Sequence, residues 1–322
     1  MNHVAHTPSK SVVLSGDKTL EELIEKFLKS HDVKEISVES YRRRLRDFTK
    51  WITDIPKVVF SRELLINYKR SLVSRRLQAN TISAYLVAVR MFFEFLEASK
   101  LYPNIAKGIK GAKRERSFRK DPLTIPQIFR LLDSIDRTDL KGKRDFALLN
   151  LAIRTGPRSI EISRADIEDL RQEAGQAVLH LQGKGEDSKS AFVVLTEETL
   201  TPILEYLAER PNAKPDEPLF GSTSDGNRHE RLSTRAIRRI AKERLRGVSI
   251  DSPRISTHSF RHTAVTLSLL AGATLQETQQ MARHANIATT IIYAHNLQRA
   301  AGVPEKKIEE LLRRDVAKGV KD

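Results

Sequence analysis

The chain has 322 residues, of which 39% are hydrophobic and 30% are charged, and this length favours two domains with substantial hydrophobic cores. Its 56 lysines and arginines exceed its 41 acidic residues and give a net charge of +15, which excludes an acidic disordered chain and makes a polyanion the expected partner, with a membrane surface as the competitor. The absence of cysteine excludes disulfide bonds, thiolate nucleophiles and cysteine-ligated zinc.

The first part of the chain predicts a flexible tail over residues 1–17 and an all-helical bundle over residues 18–105. The sequence Thr19-Leu20-Glu21-Glu22 is a capping box and predicts the start of the first helix. Apolar residues then recur every three or four positions in three further stretches. These stretches predict helices after Ser37, after Ser61 and after Asn80.

Two stretches of basic side chains are candidate contacts for a phosphate backbone. The second predicted helix carries Arg42, Arg43, Arg44 and Arg46 away from its apolar positions. Residues 106–120 hold seven basic residues and one acidic residue without helical periodicity, which predicts an interdomain linker. The candidate contacts in this linker are Lys113, Arg114, Arg116, Arg119 and Lys120. Each stretch is either a solvated surface or a DNA contact, and the sequence leaves both interpretations open.

Residues 121–322 show a mixed pattern of helices and short strands. Helices are predicted over residues 125–135, 143–154, 199–209, 233–246, 256–271, 275–282, 289–293 and 304–316. Strands are predicted over residues 162–167, 177–181 and 191–195. The turn-rich stretch between the last two strands predicts a β-hairpin. This second region is therefore expected to be a mixed α+β domain.

The second region also carries polar side chains that are ordinary when each is taken alone. Arg158 follows Gly156-Pro157, where one helix is expected to end and another to begin. Lys184 lies in the predicted hairpin connection. His258 and Arg261 share one face of a helix because they are three residues apart. His284 follows Arg261 by 23 residues, and Tyr293 follows His284 by nine.

In this order and at these spacings, the residues resemble the tyrosine recombinases of the phage integrase family, including the Xer and Cre types. The resemblance covers roughly residues 18–315. It implies an all-α N-terminal core-binding bundle of the SAM-like type and a mixed α+β C-terminal catalytic domain of the tyrosine-recombinase fold. In the family these two domains clamp DNA from opposite sides. The helical region, basic linker and mixed region predicted above match that layout.

The resemblance implies a site that cleaves and rejoins DNA strands. Its expected catalytic residues are Arg158, Lys184, His258, Arg261, His284 and Tyr293, with Glu161 in support. The two guanidinium groups would stabilise the charge that builds up on the phosphate oxygens, without a metal ion. Tyr293 would form a covalent 3′-phosphotyrosine, which retains the energy of the broken bond, so that neither ATP nor another cofactor is expected.

The remaining roles are implied by the same resemblance. Lys184 would protonate the leaving 5′ oxygen, and His258 has a pKa range suited to taking the tyrosine proton and returning it. His284 would hydrogen-bond a phosphate oxygen, and Glu161 would orient the arginine and the histidine. The 5′ hydroxyl of a second DNA end would then attack the phosphotyrosine, which exchanges the strands.

Two positions depart from the family pattern. The family usually has a larger aliphatic residue between the glycine and the first arginine, where this chain has Pro157. Proline is compatible with the first turn of a helix. The residue before the last histidine is commonly glycine, and here it is Arg283, which would either add an anion contact or displace the backbone.

Other classes of protein were compared with the same residues. A zinc hydrolase would use His258 and His262, but the helix lacks the glutamate of a His-Glu-x-x-His motif. A P-loop enzyme fails because Lys184 is followed by glycine, and a serine hydrolase fails because no Gly-x-Ser-x-Gly is present. Two alternatives stay open: a type IB topoisomerase with the same chemistry, and a catalytically silent DNA-binding protein on this scaffold.

The expected partners are double-stranded DNA recombination sites and further copies of the chain. The helix predicted over residues 304–316 carries Ile308, Leu311, Leu312 and Val316 at helical spacing. In the family such a helix docks on the neighbouring protomer, which implies a homotetramer on DNA; the alternative is a helix packed on its own domain. No apolar run approaches the roughly 18–20 residues of a membrane span, and no signal peptide is recognised. We therefore expect no membrane contact and a cytoplasmic, nucleoid-associated protein. The short stretch before the first helix favours a recombinase without an additional arm-binding domain.

Overall fold

The computed structural model describes residues 13–15, 18–30, 32–56, 58–113, 120–183, 185–300 and 302–318. The chain divides into two compact units, Met1–Ser117 and Phe118–Asp322. The division falls inside the stretch that the sequence assigns to a linker. Each unit has its own hydrophobic core.

The first unit is a bundle of helices that encloses aromatic side chains. Its helices are α1 (Leu20–Lys29), α2 (Glu35–Thr53), α3 (Arg62–Ser74) and α4 (Ala79–Ala98). The capping box predicted at the start of α1 is confirmed, because Thr19 and Glu22 each accept a hydrogen bond from the other's backbone N–H. In the core, the Phe48 and Tyr68 rings meet edge to face with centroids 4.9 Å apart.

The stretch before α1 is not entirely without structure. Val13–Ser15 forms strand β1, which pairs antiparallel with the two-residue strand β2 (Lys18–Thr19). The predicted flexible tail is therefore wrong for residues 13–15. Residues 1–12 and 16–17 lie outside the part of the chain that the structure describes.

The linker prediction for residues 106–120 is wrong for its first half. Ala106 and Ile109 are 1% and 5% exposed and belong to the core of the helical unit. The Lys69 ammonium donates a 2.8 Å hydrogen bond to the carbonyl of Lys110, and the Arg62 guanidinium donates to that of Lys107. Burial of two apolar side chains and these bonds hold residues 106–112 against the bundle.

Among the described residues, one helix, α4, is long and apolar enough to cross a membrane by length and composition. Its apolar side chains include Phe92 and Phe93, which are fully buried in the bundle. The Phe92 ring packs edge to face on Phe27 at 5.8 Å. The hydropathy of α4 is thus accounted for by the core of the helical unit.

The second unit is the predicted mixed α+β domain, and its fold class is confirmed. Its strands are β3 (Leu170–Glu173), β4 (Gln176–Leu181) and β5 (Ala191–Val194), joined antiparallel in that order. Its helices are α5 (Ile125–Asp133), α6 (Leu140–Thr155), α7 (Ser159–Arg164), α8 (Glu197–Ala208), α9 (Thr234–Gly247), α10 (Thr257–Leu270), α11 (Leu275–Ala282), α12 (Ala288–Ala300) and α13 (Val303–Lys318).

The strand predicted over residues 162–167 is wrong, because its first three residues end α7 and Ile167 begins a short 3-10 helix. The strand that pairs with β4 is β3, whose four residues are largely polar and carry no apolar alternation. Ala174 and Gly175 connect β3 to β4 with φ values of +48° and +78°. Two consecutive positive φ values match a tight turn whose twist suits a β-hairpin.

Helix α6 lies at the centre of the second unit and positions its polar residues. It packs against α8 on one side and α10 on another. It ends at Gly156, whose φ of +63° turns the chain sharply into α7. An ideal Cβ at Gly156 would lie 3.0 Å from the Ala264 side chain, so the glycine also permits the close approach of α10.

Candidate active site

The predicted catalytic residues of the second unit come from separate elements that meet at the end of α6. Arg158 is the residue before α7, Arg261 is in the second turn of α10, His284 follows α11, and Tyr293 lies on α12. The two arginines and His284 are close enough for both guanidinium groups to lower the pKa of that histidine. The structure therefore brings these four residues together.

Arg261 is the most buried of these cations and is held by backbone carbonyl groups. It is 4% exposed, and its Nη1 donates a 2.8 Å hydrogen bond to the carbonyl of Gly156. Its Nη2 donates to the carbonyl of Ala282 at the end of α11. Burial, and then the cations Arg158 and Arg283, lower the pKa of Arg261 to about 10. The guanidinium is thus charged at neutral pH and fixed between two elements.

Arg158 is partly exposed and is oriented by Glu161. Its Nη1 donates a 2.6 Å hydrogen bond to Oε1 of that carboxylate, and its backbone N–H donates to Oε2 at 2.7 Å. The Glu161 side chain is only 1% exposed. Although burial acts to raise it, the neighbouring Arg283 and Arg158 hold the pKa of Glu161 below its ordinary value. A buried, ionised Glu161 agrees with the orienting role implied for it.

Tyr293 is buried between two histidine rings. The side chain is 6% exposed, and its ring centroid lies 5.2 Å from that of His262 and 6.1 Å from that of His284, on which it stacks. Burial raises the pKa of Tyr293 to about 12, with Arg261 acting in the opposite direction. The phenol is therefore neutral at physiological pH and needs a proton acceptor to become a nucleophile.

The histidines of α10 lie side by side. The His258 and His262 rings are 5.3 Å apart, and His262 is the one in contact with Tyr293. Desolvation, and then Arg261 and Arg158, lower the pKa of His258. Burial, and then His258, lower the pKa of His262 to about 4. Both rings are therefore neutral at pH 7, the state in which a histidine accepts a proton.

His284 is held by a hydrogen bond that the sequence did not indicate. Its Nδ1 lies 2.9 Å from the hydroxyl oxygen of Thr290, which is fully buried on α12. Burial, and then Arg261 and Arg158, lower the pKa of His284 to about 4. Among the described residues, no partner of the second ring nitrogen is seen, and that nitrogen is the one that could bind a phosphate oxygen. Thr290 thus fixes the orientation of the ring that the resemblance assigns to a phosphate oxygen.

Lys184 lies outside the residues that the structure describes, but both of its neighbours are described. The Gly183 carbonyl accepts a 3.1 Å hydrogen bond from the Arg164 guanidinium, and the Gly183 N–H donates to the Glu186 carboxylate at 3.3 Å. Glu186 in turn acts to raise the pKa of Arg283. The base of the hairpin connection is therefore close to the cluster around Arg158.

The predicted DNA contacts of the helical unit differ in their surroundings. Arg42 is paired with Glu25 at 3.2 Å and Glu39 at 3.0 Å, so its charge is already balanced within the unit. Arg43 and Arg46 are exposed, Arg44 is half-buried and Lys113 is exposed. In the second unit, Lys120 donates a 2.6 Å hydrogen bond to the Pro253 carbonyl. Arg114, Arg116 and Arg119 lie outside the described part of the chain. DNA contact by these residues stays a prediction.

Two basic residues join the site beyond those predicted for catalysis or DNA contact. Arg283 donates a 3.0 Å hydrogen bond to the Glu161 carboxylate. Arg238, on α9, contributes to the lowered pKa of His258. The departure of Arg283 from the family pattern was visible in the sequence, whereas nothing in the sequence pointed to Arg238. Within the described ranges, no group of three histidine, aspartate or glutamate side chains forms a candidate metal site.

Comparison with known proteins gives two matches to family models. The model described as the N-terminal SAM-like domain of phage integrases matches residues 20–100, and the model of the phage integrase family matches residues 122–299. A tyrosine recombinase of Synechococcus elongatus is 28% identical over 251 residues, which are 77% of each chain. The tyrosine recombinase XerC of Actinobacillus pleuropneumoniae is 33% identical over 68% of this chain and 69% of its own.

Solved structures share the fold at lower identity. The XerH site-specific recombinase bound to a palindromic difH substrate, in a post-cleavage complex, aligns with a TM-score of 0.70 at 21% identity over 88% of this chain and 84% of its own. A lambda integrase dimer bound to a COC′ core site aligns with a TM-score of 0.67 at 14% identity over 86% of this chain and 95% of its own. These two likenesses show the fold.

Proposed function

Since the chain belongs to the phage integrase family and is a site-specific tyrosine recombinase, we propose that it cleaves and rejoins DNA through a covalent 3′-phosphotyrosine on Tyr293. The observation that carries the proposal is a buried tyrosine packed between two histidine rings beside Arg261, with Arg158 next to that arginine. Arg261 acts on the phenol electrostatically, and the His262 and His284 rings pack against it. A structural tyrosine would need none of these cations.

The guanidinium groups of Arg158 and Arg261 would bind the scissile phosphate. A phosphodiester carries one negative charge that repels nucleophiles, and further charge builds up on its oxygens as the phosphorus becomes five-coordinate. Arg261 is fixed by the Gly156 and Ala282 carbonyls before DNA arrives, so little reorganisation is needed when the charge develops. Arg158 is the more exposed of the two and is oriented by Glu161.

Cleavage would be a balanced exchange of bonds and protons. The Tyr293 oxygen forms a bond to phosphorus as the bond to the 5′ oxygen breaks, and the electron pair of that bond leaves with the 5′ oxygen. His258 takes the phenol proton, either directly or through His262, whose ring lies next to both the His258 ring and the Tyr293 ring. Lys184 gives a proton to the 5′ oxygen. Attack by a 5′ hydroxyl of another strand reverses each step, so no metal ion, ATP or other cofactor enters the reaction.

The test is a suicide substrate that carries the recombination site with a nick beside the scissile phosphate. We expect a covalent protein–DNA adduct that survives SDS, and tryptic digestion followed by mass spectrometry is expected to place the nucleotide on the peptide containing Tyr293. A second assay offers two duplexes with the site. Strand joining between them is expected, because a recombinase must exchange partners.

Other outcomes identify the alternative functions. Relaxation of supercoiled DNA without joining between duplexes would favour a topoisomerase. Site-specific binding without an adduct would favour a catalytically silent binder. We further propose that the protein acts in the cytoplasm, associated with the nucleoid, where its DNA sites lie.

We also propose that the protein assembles on DNA as a homotetramer through α13. Ile308, Leu311 and Leu312 on this helix are 56%, 60% and 56% exposed, so these three residues of the apolar stripe are not buried within their own protomer. The side chain of Val316, the fourth residue of the stripe, lies outside the described part of the chain. Exposed leucines and isoleucines at helical spacing are typical of a helix that docks elsewhere. Helix α13 begins three residues after α12, the helix that carries Tyr293, so docking would couple the position of α12 to assembly.

Truncation after Gly302 is expected to separate binding from assembly. The shortened chain should bind one half-site with the affinity of the full chain, because α13 is remote from the predicted DNA contacts in sequence. Cooperative occupation of the two half-sites, measured by gel shift, is expected to fall by tenfold or more. The triple variant I308S/L311S/L312S is the matched control, because it removes the three apolar side chains seen to be exposed and keeps the helix. Unchanged cooperativity in either variant would refute docking through α13.

A further inference from the structure

Arg283 has a backbone conformation that an arginine rarely adopts. Its φ is +53°, in the left-handed region, at the point where α11 ends. The Arg283 N–H donates to the Gln280 carbonyl and the His284 N–H to the Gln279 carbonyl, a pattern that closes a helix with a left-handed residue. Glycine adopts this conformation without steric cost, whereas arginine does not. We therefore infer that contacts of the Arg283 side chain offset the strain of its backbone.

The Arg283 side chain makes three hydrogen bonds inside the site. It is 12% exposed, and its Nη1 donates to the Met281 carbonyl at 2.7 Å. Its Nη2 donates to Oε2 of Glu161 at 3.0 Å and approaches the Gly156 carbonyl at 3.4 Å. Its Nε is buried without an acceptor in the described part of the chain, which is a further cost. The contacts with Glu161 and Gly156 join the end of α11 to the turn between α6 and α7.

Three arginines bind successive carbonyl groups at the end of α11. The carbonyls of Met281, Ala282 and Arg283 accept hydrogen bonds from Arg283, Arg261 and Arg158, respectively. The helix end and the phosphate-binding arginines thus form one hydrogen-bonded unit. His284, the next residue, takes its position from that unit. A change at Arg283 therefore reaches the histidine and both arginines.

The charges in the cluster give Arg283 a second effect. Glu161 binds Arg158 through both carboxylate oxygens, and without Arg283 it would offset the charge of Arg158 in full. With Arg283 present, Glu161 binds the guanidinium groups of Arg158 and Arg283 and acts electrostatically on that of Arg261. These four side chains together carry a charge of +2, which matches the two negative charges of a five-coordinate phosphorane.

We propose that Arg283 is a positioning residue for DNA cleavage, whose guanidinium shares the Glu161 carboxylate with Arg158 and so leaves the charge of Arg158 available to the scissile phosphate. The inference rests on the function proposed above, because it assigns Arg158 to that phosphate. The role of Arg283 differs from the proposed function because Arg283 need not touch the DNA. Arg283 acts through Glu161, Gly156 and the end of α11.

The test compares R283G, R283K and the unchanged protein in single-turnover cleavage of the suicide substrate at saturating DNA. Glycine suits the backbone and removes the cation, so we expect an unchanged or higher melting temperature, DNA affinity within threefold, and cleavage slower by tenfold or more. Lysine keeps the charge within reach of Glu161, so R283K is expected to cleave at least threefold faster than R283G. A merely structural arginine would not show this separation of cleavage from stability.

R76G is the matched control, because Arg76 is an exposed arginine with a φ of +54° in the helical unit. It is expected to cleave at the rate of the unchanged protein at saturating DNA. A double-mutant cycle with E161Q gives a second readout: the effect of R283G is expected to shrink by fivefold or more when Glu161 carries no charge.

Less than a tenfold loss in R283G, or no advantage of R283K over R283G, would overturn the proposal for Arg283. Equal effects of R283G with and without E161Q would overturn the route through Glu161. Absence of any adduct in the unchanged protein would instead contradict the proposed function, and the two failures are therefore distinguishable.

Discussion

Tyr293→Phe is expected to bind its DNA sites with unchanged affinity and to form no covalent adduct, a loss of at least roughly 1000-fold in single-turnover cleavage. The substitution removes only the phenol oxygen, which is the atom that would bond to phosphorus. The ring keeps its contacts with His262 and His284, so packing in the small cluster with Val265 and Ala282 is retained. Because the ring keeps these contacts, the variant is expected to retain the fold and its DNA affinity.

Tyr206→Phe is the matched control for this experiment. Tyr206 is also buried in the second unit, where its hydroxyl accepts hydrogen bonds from the Gly221 N–H and the Arg210 guanidinium. Its loss is expected to lower the free energy of unfolding by about 1–2 kcal/mol and to leave the adduct intact. An adduct in Tyr293→Phe, seen as a slow-migrating band in SDS gels, would show that another side chain is the nucleophile.

The order and spacing of the residues are specific enough for the sequence to predict which of them form the candidate site, but the sequence did not predict the groups that hold them in place. Arg158, Arg261 and Tyr293 were each predicted, and the structure brings them together. The carbonyls of Gly156 and Ala282 that hold Arg261 have no signature, because every residue carries a carbonyl group. Such partners become visible only when the ends of α6 and α11 are placed beside α10.

The errors in the predicted elements have a common physical cause. The periodicity of apolar residues identifies elements that bury one face, such as α1 and β4. Strand β3 is short and polar and is held by its backbone hydrogen bonds to β4, so it has no such pattern. Residues 106–112 were assigned to the linker because glycine and lysine dominate their composition. The two apolar side chains that anchor this stretch are too few to produce a pattern.

The prediction of DNA contacts from basic clusters also missed ion pairs between residues that are distant in sequence. Arg42 belongs to a basic cluster in the sequence, but its partner Glu25 lies 17 residues away on α1. The basic cluster of α2 therefore presents less positive charge than its sequence indicates. Arg43 and Arg46, which are exposed, are the better candidates for phosphate contacts.

Arg261→Lys is expected to lower single-turnover cleavage by about 100- to 1000-fold and to destabilise the second unit by roughly 2–4 kcal/mol. The planar guanidinium donates to the Gly156 and Ala282 carbonyls at once, and an ammonium group cannot span both. At least one buried carbonyl is then left without a donor, and the charge at the phosphate is no longer fixed. Because the cleavage loss and the stability loss have the same origin, they must be separated experimentally.

Arg210→Lys provides that separation. Arg210 is buried in the same unit, donates to the carbonyls of Pro218 and Leu219 and pairs with Glu217, far in sequence from the catalytic residues. Its replacement is expected to cost a similar free energy of unfolding, measured by urea denaturation, and to leave cleavage within threefold of the unchanged protein when both variants are assayed well below their melting temperatures. If Arg261→Lys lost no more cleavage than Arg210→Lys, Arg261 would be a structural residue and the phosphate would depend on Arg158 alone. A loss specific to Arg261→Lys means that the same two carbonyls that stabilise the fold also hold the cation in place for the reaction.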